Sequence, residues 1–595
     1  MKAINLLDSV DINELDDITA IEYVVTLRSM DDLESFYADI ENEGGPEYIP
    51  DRGVNVHKRR PISTSTHYLL TAKEAAILTQ DPRVISVAPA DLIRSAIKLH
   101  SYDQSAVFSK TAVEAYGGAA MDASWRNWAL LRCIEGAQRS GWGDDGTTTV
   151  TGNITVGPTG RNVDVVIADG ISGVPNHPEF AVNPDGTGGS RYVQYNWFLL
   201  NSIVVGLDDD AATKLSGAYS YAAASVLGNA NHGTHVSGTA CGNTNGWARD
   251  ANIYQIDPVS GTIDSLIMWD YIRAFHLNKP INSETGRRNP TIVNCSYGMS
   301  ISFPSSNIFG PIIQGTRRGV DVGNYLANVA LTSTQLTSLN VRNTGAANSP
   351  TATVPYYDYG TAADITQAIA DGIIVVAAAG NDCFYMDTST GLDYNNTFIA
   401  KVQTATNVWT PYQFDLHKGS APAGVPGVIC VGSVNADVAE HKAWYSNTGP
   451  RIDIYAPGTW IISSLHDSAG GWAGSSTAAD SRNGSYYNGR EVGTSMASPQ
   501  VTGMLACILE LYPNMTQSMA QDYIKFYGKN SQMTDTGGTA PTWAQDTQSL
   551  QGAPNRYMFL PKERPAAGAP YPKKNVWTRP TSGRTYPRTR RRLRG

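Results

Sequence analysis

Gly493-Thr494-Ser495-Met496-Ala497-Ser498-Pro499 sets a serine between a glycine turn and a long apolar segment. From Pro499 onward, Val501, Met504, Leu505, Ile508 and Leu509 recur at helical spacing with almost no charge among them, which predicts a helix running through the core. Ser495 then stands near the N-terminus of that helix. Unpaired backbone N–H groups and the positive end of the helix dipole gather there, and both favour a developing negative charge. From this stretch alone two uses of the serine are open: a nucleophile, or a cap that satisfies backbone donors.

A base and an orienting carboxylate lie upstream. Asn231-His232-Gly233-Thr234-His235-Val236-Ser237-Gly238-Thr239 places His232 ahead of small residues that permit close helix packing, and Val163-Asp164-Val165-Val166-Ile167-Ala168-Asp169 is an apolar strand ending on an acid. The order Asp169, His232, Ser495 is that of subtilisin and differs from the orders used by chymotrypsin and the α/β-hydrolases. On these segments the chain resembles the subtilisin-like serine peptidases (subtilases, peptidase family S8). Four more segments carry the resemblance. Val376-Ala377-Ala378-Ala379-Gly380-Asn381 resembles the strand and turn that bear the family's oxyanion-hole asparagine, here Asn381. Ile292-Val293-Asn294-Cys295-Ser296-Tyr297-Gly298 resembles the strand whose exposed edge pairs with the substrate backbone. Tyr445-Ser446-Asn447-Thr448-Gly449-Pro450, with Asp453 and Ala456-Pro457-Gly458, is similar to a structural stretch before the nucleophile, and Trp128, Leu130 and Arg132 resemble the start of a mature domain.

The resemblance implies a triad of Asp169, His232 and Ser495, with Asn381 and the Ser495 N–H binding the oxyanion. It implies a substrate site walled by Ser296, Tyr297, Gly298, Ala378, Ala379 and Gly380. One segment departs from the family: Asp169-Gly170-Ile171-Ser172-Gly173 precedes His177-Pro178-Glu179-Phe180, so the turn carries an extra residue or two, and an alternative alignment puts Ala168 in the acid's place. Asp169 is preferred because catalytic groups gather at the C-terminal ends of strands in open α/β sheets. Asp164 is read as a solvated or edge position, His177 as part of a turn and His235 as a packed helix residue. No Glu follows His232, so the HxxH spacing does not make a zinc site, and no metal ligands are assigned. No cofactor is identified; calcium is implied by the family alone, without EF-hand-like acidic spacing. Cys133, Cys241, Cys295, Cys383, Cys430 and Cys507 form no C-x-x-C pair and are read as buried thiols.

With 595 residues, 41% hydrophobic and 17% charged, the chain is globular and large enough for more than one domain. The expected fold class is α/β, a mostly parallel sheet covered by helices on both faces, preceded by a small ferredoxin-like α+β unit. Residues 1–20 are an acidic segment. Residues 21–97 show a β-α-β-α-β pattern: alternation at Ile21, Tyr23, Val25 and Leu27, a helical face at Leu33, Phe36, Tyr37 and Ile40, a strand from Thr66 to Leu70, a capping box at Thr71-Ala72-Lys73-Glu74, and a strand from Val84 to Val87. That pattern resembles the inhibitor I9-like propeptide of subtilases, which implies a self-inhibited zymogen. Residues 98–127 then form a linker with a processing site, residues 128–530 the catalytic domain, and residues 531–595 an extension. The stretches between Asp169 and His232 and from Ser300 to Thr361 are read as surface insertions.

From Pro561 to Gly595 there are eleven Lys or Arg, one Glu and six Pro, a net of +10 within a chain of net −9. Such a tail is expected to bind nucleic acid or an acidic protein surface, or to be a solubilising or intramolecular tail lying on the acidic body. No run of about 18 apolar residues predicts a membrane span. Met1 to Ala20 lacks the apolar region of a secretory signal, so an intracellular protein or a phage or virus product is expected. The functional expectation is a serine endopeptidase acting on polypeptides; its alternative is a catalytically inert, subtilase-fold structural or binding protein, such as a virion component.

Overall fold

The computed structural model describes residues 15, 19–41, 54–91, 93, 97–99, 127–135, 158–204, 206–207, 217–221, 227–258, 263–305, 308–345, 349–405, 408–436, 439–468, 477–536 and 548–560. The acidic segment, apart from residues 15 and 19–20, most of the 98–127 linker and the basic tail lie outside them. The central sheet runs, in spatial order, Asn252–Ile256, Asp164–Ala168, Thr291–Cys295, Ile374–Ala378, Ile429–Val434, Ile454–Pro457, Arg556–Tyr557 and Lys529–Asn530. All pairings but the last are parallel. The inner strands are buried along their whole length, which is why Ile374–Ala378 reads IVVAA and Asp164–Ala168 reads DVVIA: helices cover both faces. The chain leaves the first strand to one side, for Asn252–Ile256, and then crosses it to Thr291–Cys295 on the other. The strand order reverses there, and ligand sites in open α/β sheets form outside the strand ends at such a reversal.

Helix Thr494–Leu511 is buried through Leu509 and packs against helix Leu227–Cys241 and the strands of the sheet. Close approach of the two helices depends on missing side chains: a Cβ at Gly503 would lie 2.3 Å from the Ala240 carbonyl oxygen. Helix Tyr359–Ala370 ends before Gly372, whose φ of 98° suits only glycine, and leads directly into Ile374–Ala378.

The N-terminal unit is a four-stranded antiparallel sheet, ordered Asn55–Lys58, Ser65–Leu70, Ile21–Leu27, Val84–Pro89, with helices Leu33–Ile40 and Ala72–Leu78. This is the ferredoxin-like β-α-β-β-α-β order; the strand Asn55–Lys58 is an addition to the pattern expected from sequence, because Asn-Val-His-Lys shows too little alternation to be seen. The capping box is formed, with Glu74 N donating to Thr71 Oγ1 and Thr71 N donating to Glu74 Oε2. Strand side chains alternate between two interiors. Tyr23, Val25 and Leu27 line the unit's own core with Phe36 and Leu78, while Val24 and Ala88 join the large core of the body.

Three expectations need correcting. Asp164 is not solvated: it is 2% exposed, pairs with Lys279 Nζ at 2.8 Å and accepts from Asn252 and Asn289. The acid is tolerable inside because a lysine and two asparagine amides donate to it. The boundary at residue 530 falls too early, since Arg556–Tyr557 pairs with Ile454–Pro457 and Leu560 N donates to the Cys133 carbonyl. The stretch from Ser300 to Thr361 is not plain loop. Phe309–Arg317 and Val320–Gly323 join a hairpin, Thr397–Ala405 and Val408–Asp415, in a four-stranded antiparallel sheet, with Phe303, Phe309, Phe398 and Phe414 packed beneath it. Its polar alternation is that of a sheet with one wet face.

Candidate active site

Asp169 follows the last residue of strand Asp164–Ala168, at the strand-order reversal, and is fully buried. Its Oδ1 accepts from Gly170 N at 2.7 Å and lies 2.7 Å from Nδ1 of His232 on helix Leu227–Cys241. Burial pushes the Asp169 pKa up, against the charge and hydrogen bond of His232. The irregular turn after Asp169 is tied down by Gln255. That side chain accepts from Ser172 N and donates to the Gly233 carbonyl and to Ser237 Oγ, linking the turn to the histidine's helix. Thr234 Oγ1 also donates to the Ser172 carbonyl. The extra residues are therefore accommodated without moving the acid. Ala168, the alternative acid position, is an ordinary buried strand residue.

Gly233 is required by distance: a Cβ there would stand 1.7 Å from the Gly170 carbonyl oxygen, a backbone atom that cannot step aside. Gly233→Ala is expected to push the helix off the turn and misplace the imidazole, so the downfield proton resonance of the His232–Asp169 hydrogen bond should be lost while the far-ultraviolet circular dichroism stays native. A retained resonance would show that the helix does not need this approach.

Ser495 is the second residue of helix Thr494–Leu511, whose N-cap, Gly493, has no side chain to cap it. Its Oγ donates to the Ser296 carbonyl at 3.1 Å, and Ser296 Oγ donates back to the Ser495 carbonyl at 2.9 Å. Asn294 anchors both partners. Its Nδ2 donates to Ser296 Oγ, and its Oδ1 accepts from Ser498 and Thr502, one turn and two turns along the helix. A buried asparagine inside an apolar strand was the sequence signal for this clamp, which motif reading passed over.

Asn381 sits just past strand Ile374–Ala378. Its Oδ1 accepts from Thr494 N at 2.9 Å and from Thr494 Oγ1 at 2.8 Å, which fixes the amide plane beside Ser495 and turns its NH₂ edge away from Thr494. The turn carrying it is held from behind by Asn447, which donates to the Ala379 carbonyl and accepts from Asp382 N and Phe384 N. Gly380 has φ 107°, a conformation for glycine, and its N–H donates to Thr494 Oγ1. Gly380 is thus bonded to the residue before the serine, and Ser296 to the serine itself. Tyr297 and Gly298 follow Ser296 in strand Tyr297–Phe303, whose one edge pairs with Ala352–Pro355 and whose other pairs with Ile97–Leu99.

The remaining candidates serve packing. His235 Nε2 bonds the Ile461 carbonyl, and burial lowers its pKa to about 3, so it stays neutral. His177 caps the short helix Pro178–Phe180 and bonds the Tyr487 carbonyl. All six cysteines are buried and unpaired. Among the described residues no group of three or more His, Cys, Asp or Glu is arranged to hold a metal ion. No described helix is long and apolar enough to cross a membrane.

A buried acid-histidine pair, a serine at a helix N-terminus and a clamped asparagine thus stand on a mostly parallel sheet covered by helices. The Subtilase family profile matches residues 160–536, and the chain belongs to that family. It is 27% identical over 244 residues to the subtilisin-like proteinase Mp1 of Magnaporthiopsis poae, covering 40% of this chain and 54% of that one. It is 32% identical over 161 residues to subtilisin of Bacillus pumilus, covering 27% and 41%. The chain thus spans about half the length of the fungal relative. Among solved structures it is similar to fervidolysin from Fervidobacterium pennivorans, a keratinolytic enzyme related to subtilisin, with TM-score 0.44, 16% identity and coverage of 93% of this chain and 64% of that one. A cold-adapted subtilisin-like serine proteinase gives TM-score 0.39 at 18% identity, covering 73% and 97%.

Proposed function

We propose that the chain is a serine endopeptidase that cleaves polypeptides through an acyl-enzyme, using Asp169, His232 and Ser495. The observation that carries this reading is the 2.7 Å contact of His232 with a buried Asp169, together with a serine held at the N-terminus of the buried helix Thr494–Leu511. His232 takes the proton of Ser495 as Oγ attacks the peptide carbonyl and returns it to the leaving amine. Asp169 holds the imidazole in the tautomer with the proton on Nδ1 and stabilises its cation. The oxyanion is met by the Asn381 amide and the Ser495 N–H.

Asn381→Ala is expected to lower kcat by about 10²–10³ with little change in KM, a range that comes from the equivalent loss in subtilisin. An unchanged kcat would remove Asn381 from the oxyanion site. Substrate recognition in this reading is through the main chain, along the edge of Tyr297–Phe303 and between Ser296–Gly298 and Ala378–Gly380.

The N-terminal unit acts in this proposal as an inhibitory propeptide. Its docking on the body, the pairing of Ile97–Leu99 with the substrate edge and the burial of Ser495 support that role. The inert alternative and the peptidase reading are separated by a fluorophosphonate probe: intact, folded protein that labels no better than Ser495→Ala would sink the peptidase reading.

A further inference from the structure

The stretch between Asp169 and His232, expected to be a surface insertion, turns several of its side chains inward: Arg191, Tyr192 and Trp197 are buried. Here the chain runs beside Asn252–Ile256, the strand that ends the central sheet on that side. Tyr192 bridges Ile253 in parallel register, Ile253 N donates to the Arg191 carbonyl at 2.9 Å, and Val193 N donates to the Ile253 carbonyl at 2.7 Å. The sheet edge is thereby covered.

Two neighbouring side chains of this stretch act on the helix that carries His232. Arg191 Nη2 donates to the carbonyl of Cys241, the last residue of helix Leu227–Cys241, at 2.8 Å, and to Asn243 Oδ1 at 3.2 Å. A cation there meets an orphan carbonyl and the negative end of the helix dipole. Tyr192 Oη donates to Gln255 Oε1, which also accepts from Ser172 N at 2.8 Å. Gln255 Nε2 donates to the Gly233 carbonyl at 3.0 Å and to Ser237 Oγ at 2.7 Å. A primary amide offers two lone pairs and two protons, and this fully buried one uses all four. Its backbone is held as well, since Trp197 Nε1 donates to the Gln255 carbonyl at 2.9 Å. Rotating the side chain would leave buried donors and acceptors unmatched.

We propose that the stretch after Asp169 is a positioning element for the acid-histidine pair, with Gln255 as the positioning residue and Tyr192 acting through it. The proposal rests on the peptidase reading above. Asp169 and His232 belong to different segments, a strand end and a helix, and their 2.7 Å contact lasts only while those segments keep their spacing. Gln255 spans that gap, from Ser172, three residues after the acid, to Gly233, one residue after the histidine. Ser172 N–H requires an acceptor, so the amide oxygen faces the turn and the NH₂ faces the helix, and the Tyr192 hydroxyl fills the oxygen's second lone pair. These bonds run to the acid's turn and the histidine's helix and not to the substrate edge, so their loss falls on turnover and not on binding.

Tyr192→Phe and Gln255→Met in the full chain test this by peptide hydrolysis and by the downfield proton resonance of the His232–Asp169 hydrogen bond. Tyr192→Phe removes one oxygen and keeps the ring against Phe180 and Tyr221, so that variant should fold. The expected kcat is lower by about tenfold in Tyr192→Phe and about 10²-fold in Gln255→Met, with KM within about twofold of wild type in both. The resonance should shift or weaken in the same order. The double variant should be no slower than Gln255→Met, because the tyrosine works through the glutamine. Losses that multiply would show independent action and overturn the proposal. A raised KM at unchanged kcat would place the stretch at the substrate and overturn it too, as would wild-type kcat and resonance in Gln255→Met. A wild-type chain that neither hydrolyses peptide nor labels with a fluorophosphonate overturns the peptidase reading instead, and the resonance then decides the positioning of the pair by itself.

Discussion

Ser495→Ala is expected to abolish fluorophosphonate labelling and to lower peptide hydrolysis by roughly 10⁶-fold, the size known for the nucleophile and the base of subtilisin, a member of the same family. The argument is geometric. Ser495 Oγ points to the Ser296 carbonyl, and the helix that carries it is pinned through Ser498 and Thr502 to Asn294. Removing one oxygen gives up the bond to the Ser296 carbonyl but leaves the Asn294 contacts in place, so the fold should persist while the nucleophile is gone. His232→Ala should cost about as much, and the double variant no more than either single one, because the pair acts as one proton-transfer unit. Additive losses would show that the two residues act separately. A Ser495→Ala chain keeping more than about 1% of wild-type hydrolysis would require another nucleophile.

Arg60→Met is expected to loosen the N-terminal unit by about 3–5 kcal/mol, the usual penalty for breaking a buried ion pair by removing one partner. Arg60 bridges Asp270, on helix Met268–Asn278, and Asp364, on helix Tyr359–Ala370. Ser63 also donates to Asp364, and Arg273 reaches back to the Ile62 carbonyl. Without the guanidinium, docking would bury two carboxylates side by side with no cation between them. Hydrogen exchange in a Ser495→Ala background measures the effect: the inner face of helix Tyr359–Ala370 and strand Ile21–Leu27 should lose protection together. Replacing the whole triad by Arg60→Met, Asp270→Leu and Asp364→Leu should restore it, because an apolar triad avoids the desolvation penalty. Wild-type protection in Arg60→Met alone would sink the idea.

The same cluster gives docking a pH dependence. Burial, together with the charge of Asp270 and against that of Arg60, raises the Asp364 pKa from 3.8 to about 6. Undocking exposes Asp364 and returns it toward 3.8, so the docked state binds more protons. Docking should strengthen as the pH falls through 6 and weaken as it rises past that value. Hydrogen exchange at pH 5 and pH 7.5 checks the sign; stronger docking at the higher pH contradicts it.

Motif reading reached the catalytic candidates because each sits where local chemistry is legible over a few residues. Gly-Thr-Ser before an apolar helix, an acid closing an apolar strand and a histidine among small residues are short-range patterns. The parallel sheet was legible for the same reason, since strands buried on both faces read as continuous runs of Val, Ile and Ala. Asp164 misled because an acid at the start of such a run looks solvated; Lys279, Asn252 and Asn289, which keep it buried, come from other segments. Asn55–Lys58 was invisible because edge-strand pairing with Ser65–Leu70 holds it, not its own pattern.

The amino-acid sequence by itself determined the fold class and the family and singled out Asp169, His232, Asn381 and Ser495 as candidates, because these depend on residue type and local periodicity. Only the tertiary structure decided how they are held. Gln255 ties an irregular turn to a helix, Asn294 clamps the nucleophile's helix, Asn447 supports the turn bearing Asn381, and Arg60 joins two units across more than 200 positions of chain. Each of these is a buried polar side chain whose partner is distant in sequence. Burial without a partner would be prohibitive, so such residues are placed by what surrounds them, and a linear sequence does not display its surroundings.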